Sequence, residues 1–153
     1  MSLEIIIGNH QQSVAISEKW LTLLESAADR AADLACERAA DPDSPLFHLG
    51  TVDIALVDDK ASARVHRDFM EIEGATDVIT FHHGEIVISV EVARRQAAEY
   101  GEPLLRELLR YVVHGLLHLA GHEDASPEDR TVMDAAQEEI IASLWTAPMA
   151  AEV

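Results

Sequence analysis

Apolar residues recur along the chain with two spacings, and each spacing predicts one type of secondary structure. Short β-branched or alternating runs predict four strands, at 3–7, 51–57, 76–81 and 84–89. Three- and four-residue steps predict five helices, which begin after Ser17, near Asp59, near Glu91, at Pro103 and at Pro127.

Strands interspersed with helices, without an internal repeat, predict a single α+β domain over residues 1–146. The expected architecture is a small mixed four-stranded sheet covered by about five helices. For residues 147–153 we expect a frayed tail.

The composition is typical of a cytoplasmic globular domain. The 153 residues, 48% of them hydrophobic, are enough to bury a core and argue against intrinsic disorder. Cys36 is the only cysteine, so no internal disulfide can form and a reducing compartment is expected. No stretch approaches the roughly 18 apolar residues that a membrane helix needs, so we expect no membrane partner.

The charge is strongly acidic but unevenly distributed. A formal net charge of −17 argues against a DNA-binding protein, because phosphate binding depends on Lys and Arg. Seven of the eleven Lys and Arg residues lie between positions 60 and 110, whereas 123–139 carries seven acidic residues and one arginine. Any RNA is therefore expected to enter beside Arg64, Arg67 and Arg94, away from the last helix.

Three of the eight histidines fall within the nine residues 114–122. His114 and His118 are four residues apart on an apolar helix, so both rings leave one face and can reach one ion. Two imidazoles on such a face cost desolvation free energy unless a partner satisfies them. A hydrogen bond from each ring to a backbone carbonyl is the alternative, but the spacing favours a metal.

A catalytic zinc site usually has a third protein ligand and leaves one position to water. His122 continues the stripe, yet it lies roughly 12 Å along a straight helix from His114. Gly121 allows the chain to turn left-handed and double back. Asp124 then has the better reach over His114 and His118, and His122 is the alternative ligand. The metal site is therefore predicted on a helix and the turn after it.

The segment HGLLHLAGHED at 114–124 resembles the HGxLHLxGYDH motif of the YbeY family of endoribonucleases. Two further segments, TDVITF at 76–81 and GEIVIS at 84–89, are similar to that family's TDVLSF and GDIVIS strands. The resemblance continues into the helix at 93–101 and spans roughly residues 52–141.

This resemblance implies a zinc-dependent endoribonuclease, specific for single-stranded RNA, that acts in ribosomal RNA maturation and ribosome quality control. It implies one zinc ion per chain, with another divalent ion as the alternative. The implied partners are ribosomal RNA and components of the small ribosomal subunit.

Three positions depart from the family pattern. Asp124 stands at the family's third histidine, which implies a site of two histidines and a carboxylate with a preference shifted toward harder ions. His122 stands at the family's tyrosine. Met70 stands at the functional arginine of the family's NxxYR segment, and Arg67, about one helical turn earlier, is the candidate catalytic residue in its place.

Two other functions stay open on the sequence alone. A metallopeptidase would use a similar helix, but Gly115 stands where HExxH peptidases carry their general-base glutamate. A non-catalytic ribosome-assembly factor would use the metal only to link the last two helices. His82 and His83, on the turn before the fourth strand, either line a cleft or are exposed turn residues.

Overall fold

A computed structural model describes residues 3–70 and 76–153, and of Met70 the backbone alone. The strands are β1 (Glu4–Asn9), β2 (Thr51–Val57), β3 (Val78–Phe81) and β4 (Glu85–Ser89). The helices are α1 (Glu18–Glu37), α2 (Asp59–Met70), α3 (Val90–Tyr100), α4 (Leu104–Leu119), α5 (Pro127–Leu144) and α6 (Ala147–Ala150), with a short 3-10 helix at Pro45–Phe47.

The four strands form one mixed sheet in the order β1-β2-β4-β3. The first three strands of this order are parallel, and β3 runs antiparallel to β4 at one edge. The predicted α+β class with a mixed four-stranded sheet is confirmed.

Serine hydroxyls fix the starts of three helices where the sequence predicts N-caps or strand ends. The Ser17, Ser89 and Ser126 side chains accept hydrogen bonds from the first-turn backbone N–H groups of α1, α3 and α5, at 3.1, 3.2 and 3.1 Å. Of these caps, Ser89 ends β4 directly before α3, and Ser126 follows the metal-motif turn directly before α5.

The core lies mainly between the sheet and α4, with α1 and α5 beside that helix. Leu108, Leu109, Val112 and Leu116 of α4 have no exposed surface. The opposite face of the sheet carries a smaller cluster, formed by Val57, Ile79 and Val87 with residues of α2 packed on it.

Gly115 is the point at which α4 comes closest to β4. A Cβ atom at this position would lie 2.7 Å from the Ile86 Cδ1 atom, so any side chain here would force Ile86 or the helix to shift. The close contact fixes how near α4, and with it the histidine pair, lies to β4.

Two segments differ from the sequence prediction. β1 continues to Asn9, two residues past its predicted end, because Gly8 and Asn9 pair with Ala55 and Leu56 of β2. The segment 147–153, predicted as a frayed tail, contains α6, and Met149 in it is 1% exposed. The Glu152 carboxylate then accepts hydrogen bonds from Lys19 at 2.9 Å and Trp20 at 3.1 Å, which ties the end of the chain to α1.

Candidate metal centre

Helix α4 carries two histidines whose rings meet above its last turns. The His114 and His118 ring centroids are 4.6 Å apart, and the two Nε2 atoms are 3.0 Å apart. About a fifth of each side chain is exposed, at 21% and 22%. The spacing of four residues therefore does place both rings at one point, as one face of a helix requires.

The turn after α4 brings a carboxylate back over these rings. Gly121 has φ +95°, a left-handed conformation that residues with side chains rarely adopt. Its N–H donates to the His118 carbonyl, and the next N–H donates to the Leu117 carbonyl, each at 3.0 Å. After this reversal Asp124 Oδ2 lies 3.5 Å from both His114 Nε2 and His118 Nε2.

His122, the alternative ligand from the sequence, points away from this group. Its side chain is buried, and its Nε2 lies 2.7 Å from the Arg38 carbonyl oxygen, to which it donates. In the described part of the chain, the cluster with one ligand atom each within 4.8 Å consists of His114, His118 and Asp124.

Hydrogen bonds orient both rings of the pair. His114 Nδ1 lies 2.8 Å from Gln137 Oε1, and His118 Nδ1 lies 3.0 Å from the His122 carbonyl oxygen. Because both partners are acceptors, each Nδ1 carries a proton, and in the neutral ring the lone pair then lies on Nε2, the atom that faces the other ring. Two such lone pairs at 3.0 Å repel one another unless a shared cation or proton lies between them.

The distances among the three ligand atoms match those around a tetrahedral metal. Bonds of about 2.1 Å place neighbouring ligand atoms of a zinc ion about 3.4 Å apart. The observed separations are 3.0, 3.5 and 3.5 Å. Burial, with repulsion from His114 as a second cause, lowers the pKa of His118, which favours the neutral ring that a metal requires.

Gln137 is a residue of the site that the sequence analysis missed. It lies on the buried face of α5, 7% exposed, among Met133, Ile140 and Ile141. An amide in an otherwise apolar stripe is the signal that could have identified it, because a buried amide needs partners.

A charged network holds the Gln137 amide in one orientation. Its Nε2 donates to Glu138 Oε2 at 3.1 Å, so its Oε1 is the atom that faces His114. The Arg110 guanidinium donates in turn to Glu138 at 3.0 Å and to the buried Glu107 at 2.7 Å. Burial would lower the pKa of Arg110, but its carboxylate partners outweigh this and raise it, so the guanidinium stays charged.

A cleft of about 310 Å³ opens beside the ligand group. Its near wall is formed by His118, Glu123 and Asp124, and its far wall includes Thr80 of β3 and His82 of the following turn. His66 of α2, which the sequence analysis did not single out, also lines it. A wider depression of about 700 Å³ lies at the ends of β1 and β2 and contains none of the ligand group.

The structure does not bring Arg67 into this cleft. Arg67 is exposed, and its Nε donates to Asp68 Oδ1 at 3.2 Å. Successive helical residues point about 100° apart, and here His66 is the one that faces the cleft. The side chain of Met70, at the family's arginine position, lies outside the described residues.

The amino-acid sequence was compared with known protein families and with characterised proteins. A family model described as Endoribonuclease YbeY matches residues 6–145. Endoribonuclease YbeY of Symbiobacterium thermophilum is 35% identical over 159 positions, which cover 93% of this chain and 97% of that protein. Endoribonuclease YbeY of Myxococcus xanthus is 40% identical over 101 residues, which cover 58% of this chain and only 34% of the relative.

A solved structure shares the fold. The solution structure of TM1509 from Thermotoga maritima superposes with a TM-score of 0.61 at 25% identity, over 92% of this chain and 89% of that one. Separately, none of the helices in residues 3–70 and 76–153 combines the length and apolar character needed to cross a lipid bilayer.

Proposed function

The chain belongs to the YbeY family of endoribonucleases, and from this premise we propose that it cleaves single-stranded RNA with a zinc ion held by His114, His118 and Asp124. The observation that carries the proposal is the convergence of these three side chains on one point, with His118 and Asp124 in the wall of a cleft. The relatives' name supplies the substrate class, and the site supplies the chemistry.

A divalent ion held by these three residues would supply Lewis-acid activation of the phosphate and of a water molecule, which is the chemistry that phosphodiester hydrolysis needs. The protein holds the ligands ready. Gln137 and the His122 carbonyl orient the two imidazoles so that both Nε2 atoms face the ligand point, and Asp124 adds a carboxylate from the turn. With a carboxylate in the set, ions harder than zinc are the alternative occupants.

The cleft provides groups for proton transfer on both walls. Glu123 lies on the same wall as the ligands and can accept a proton from an attacking oxygen. His66 and His82 lie on the walls formed by α2 and the β3–β4 turn, where either can donate a proton to the leaving oxygen. Arg67 lies outside the cleft, where it is available to contact an RNA phosphate. Its exposed ion pair with Asp68 is worth only about 0–1 kcal/mol, so a phosphate can replace the Asp68 carboxylate.

The substrate we propose is ribosomal RNA, presented by components of the small ribosomal subunit in the cytoplasm. The net charge of −17 supports a presenting partner, since a strongly acidic chain attracts RNA weakly by itself. Binding of naked RNA should accordingly be weak and sensitive to salt.

Metal content and RNA cleavage measured on the same samples test the proposal. His114→Ala and Asp124→Ala should both lose bound zinc and cleavage of single-stranded RNA. His122→Ala should keep the metal, because the carbonyl that accepts from His118 belongs to the backbone. Loss of metal only in His122→Ala would show that the ligand assignment is wrong. Undiminished cleavage by His114→Ala, or peptide turnover without RNA cleavage, would contradict the endoribonuclease function.

A further inference from the structure

Three aromatic rings lie side by side where α2 ends over the β3–β4 hairpin. The Phe81 and Phe69 centroids are 5.5 Å apart with planes at 80°, and the Phe81 and His83 centroids are 5.5 Å apart with planes at 20°. Phe69 is 68% exposed, and His83 is also exposed. We propose that these three residues, the aromatic platform, stack an unpaired base of the RNA substrate. This proposal rests on the proposed endoribonuclease function and deepens it.

The aromatic platform is continuous with the cleft. His66 lines the cleft, and Phe69 follows it by three residues on α2, so the two side chains share a face of the helix. Phe81 follows Thr80 of the cleft wall on β3, and its own ring lies on the other face of that strand, the face covered by α2. An RNA strand that follows the cleft from the ligand group to His66 therefore approaches the rings at the end of α2.

One ring of the aromatic platform packs on the sheet, and the other two are exposed to solvent. Phe81 is half-buried against the cluster of Val57, Ile79 and Val87, which fixes it on the sheet. His83 lies nearly parallel to Phe81, so a base placed on its outer face continues the same stack. A preorganised stack of this kind binds any base, because every base has a flat π face.

Base stacking also explains a preference for single strands. In a duplex both faces of a base are already covered by its neighbours, whereas an unpaired base can be splayed onto an aromatic ring. The aromatic platform therefore favours unpaired RNA without reading its sequence.

A second copy of this chain fits the aromatic platform less well. Stable interfaces bury about 1,200 Å² or more, far beyond what three rings provide, and two chains of charge −17 repel each other. An RNA base needs only the area of a ring, and the same cleft supplies groups for its backbone.

The test compares two oligonucleotides on the metal-loaded protein, an all-uridine strand and an abasic strand of equal length. Their Kd values are measured by fluorescence anisotropy, with strand integrity checked on a gel. Stacking is worth about 1–3 kcal/mol per base, so the wild type should prefer the strand with bases by about 5- to 150-fold. Phe69→Ala and His83→Ala should lose most of this preference while binding the abasic strand as the wild type does.

Matched variants keep the result interpretable. Tyr100→Ala removes a ring that is equally exposed, at 68%, but lies on α3 and not beside the cleft, and it should keep the preference. Phe69→Trp, which retains a flat ring, should keep it too. Zinc content and melting temperature of Phe69→Ala should equal those of the wild type.

The outcomes separate this proposal from the one it rests on. A wild type that cleaves RNA while Phe69→Ala retains the full preference would overturn the aromatic platform alone. Equal loss in Tyr100→Ala, or dissociation of a dimer by Phe69→Ala with RNA affinity unchanged, would also overturn it. A wild type that binds neither strand and cleaves no RNA would overturn both proposals.

Discussion

Removal of the Gln137 amide should weaken metal binding without touching a ligand. In Gln137→Met the His114 Nδ1 proton loses its acceptor at 2.8 Å, so the ring can rotate and its Nε2 becomes less basic. Loss of such a partner typically costs 10- to 100-fold in metal affinity. We expect the lower end, about tenfold or 1.4 kcal/mol, because His118 keeps its own acceptor in the His122 carbonyl.

The affinity is best measured as a zinc Kd in competition with a chromophoric chelator, on metal-free protein titrated at neutral pH. Gln11→Met is the matched control, since Gln11 is also a buried glutamine, 8% exposed, that bonds within its own loop. It should lose some folding stability and keep the zinc Kd. Gln137→Glu keeps an acceptor oxygen toward His114 and should bind zinc at least as tightly as Gln137→Met.

Two results would refute this reasoning. A zinc Kd of Gln137→Met equal to that of the wild type would mean that the Nδ1 partner does not support the ligand. An equal rise of the Kd in Gln11→Met would mean that affinity follows general stability instead of ring orientation.

Three further predictions follow from the fold and its charges. Gly121→Ala should lower the unfolding free energy by about 1–3 kcal/mol in urea titrations, because φ is +95° and its Cβ would meet Asp41 at 2.9 Å, whereas Gly50→Ala, with open space around it, should change it little. The hydrogen bond from Arg95 lowers the pKa of Asp59 below its ordinary value of 3.8. The ionised carboxylate therefore stabilises the fold fully above pH 3.8, and this stabilisation is lost as the pH falls through the lowered pKa. In Arg95→Gln the unfolding free energy should fall less steeply with acidification than in the wild type. In free zinc at about 100 times its Kd, addition of a chelator should lower the Tm by roughly 5–10 °C in calorimetry. An unchanged Tm would argue against a bound metal.

Structural features whose residues all lie within one short segment could be predicted from helix periodicity and glycine conformation. The two histidines of α4, the reversal at Gly121 and the reach of Asp124 lie within 114–124, so helix periodicity and glycine conformation predict their convergence. The starts of α1 and α5 follow from their serine caps in the same way.

Features that depend on packing between distant segments were not predictable from one sequence. Gln137 meets His114 only because α5 packs on α4, and His66 faces the cleft only because α2 packs on the sheet face that carries Ile79. Arg67 illustrates the same limit, because helical phase alone does not say which of two adjacent side chains faces a cleft. The segment 147–153 is ordered because Met149 is buried in the core and Glu152 bonds to Lys19 and Trp20 of α1.

The contact between Gly115 and Ile86 restricts how this site can change in evolution. A general-base glutamate directly after the first histidine would turn the motif toward HExxH, yet even its Cβ would lie 2.7 Å from the Ile86 side chain. Such a substitution requires the Ile86 side chain or α4 to shift, at a cost of about 1–3 kcal/mol in a packed core. Gly115→Glu would complete the HExxH pattern, and the packing of one helix on one strand opposes that change.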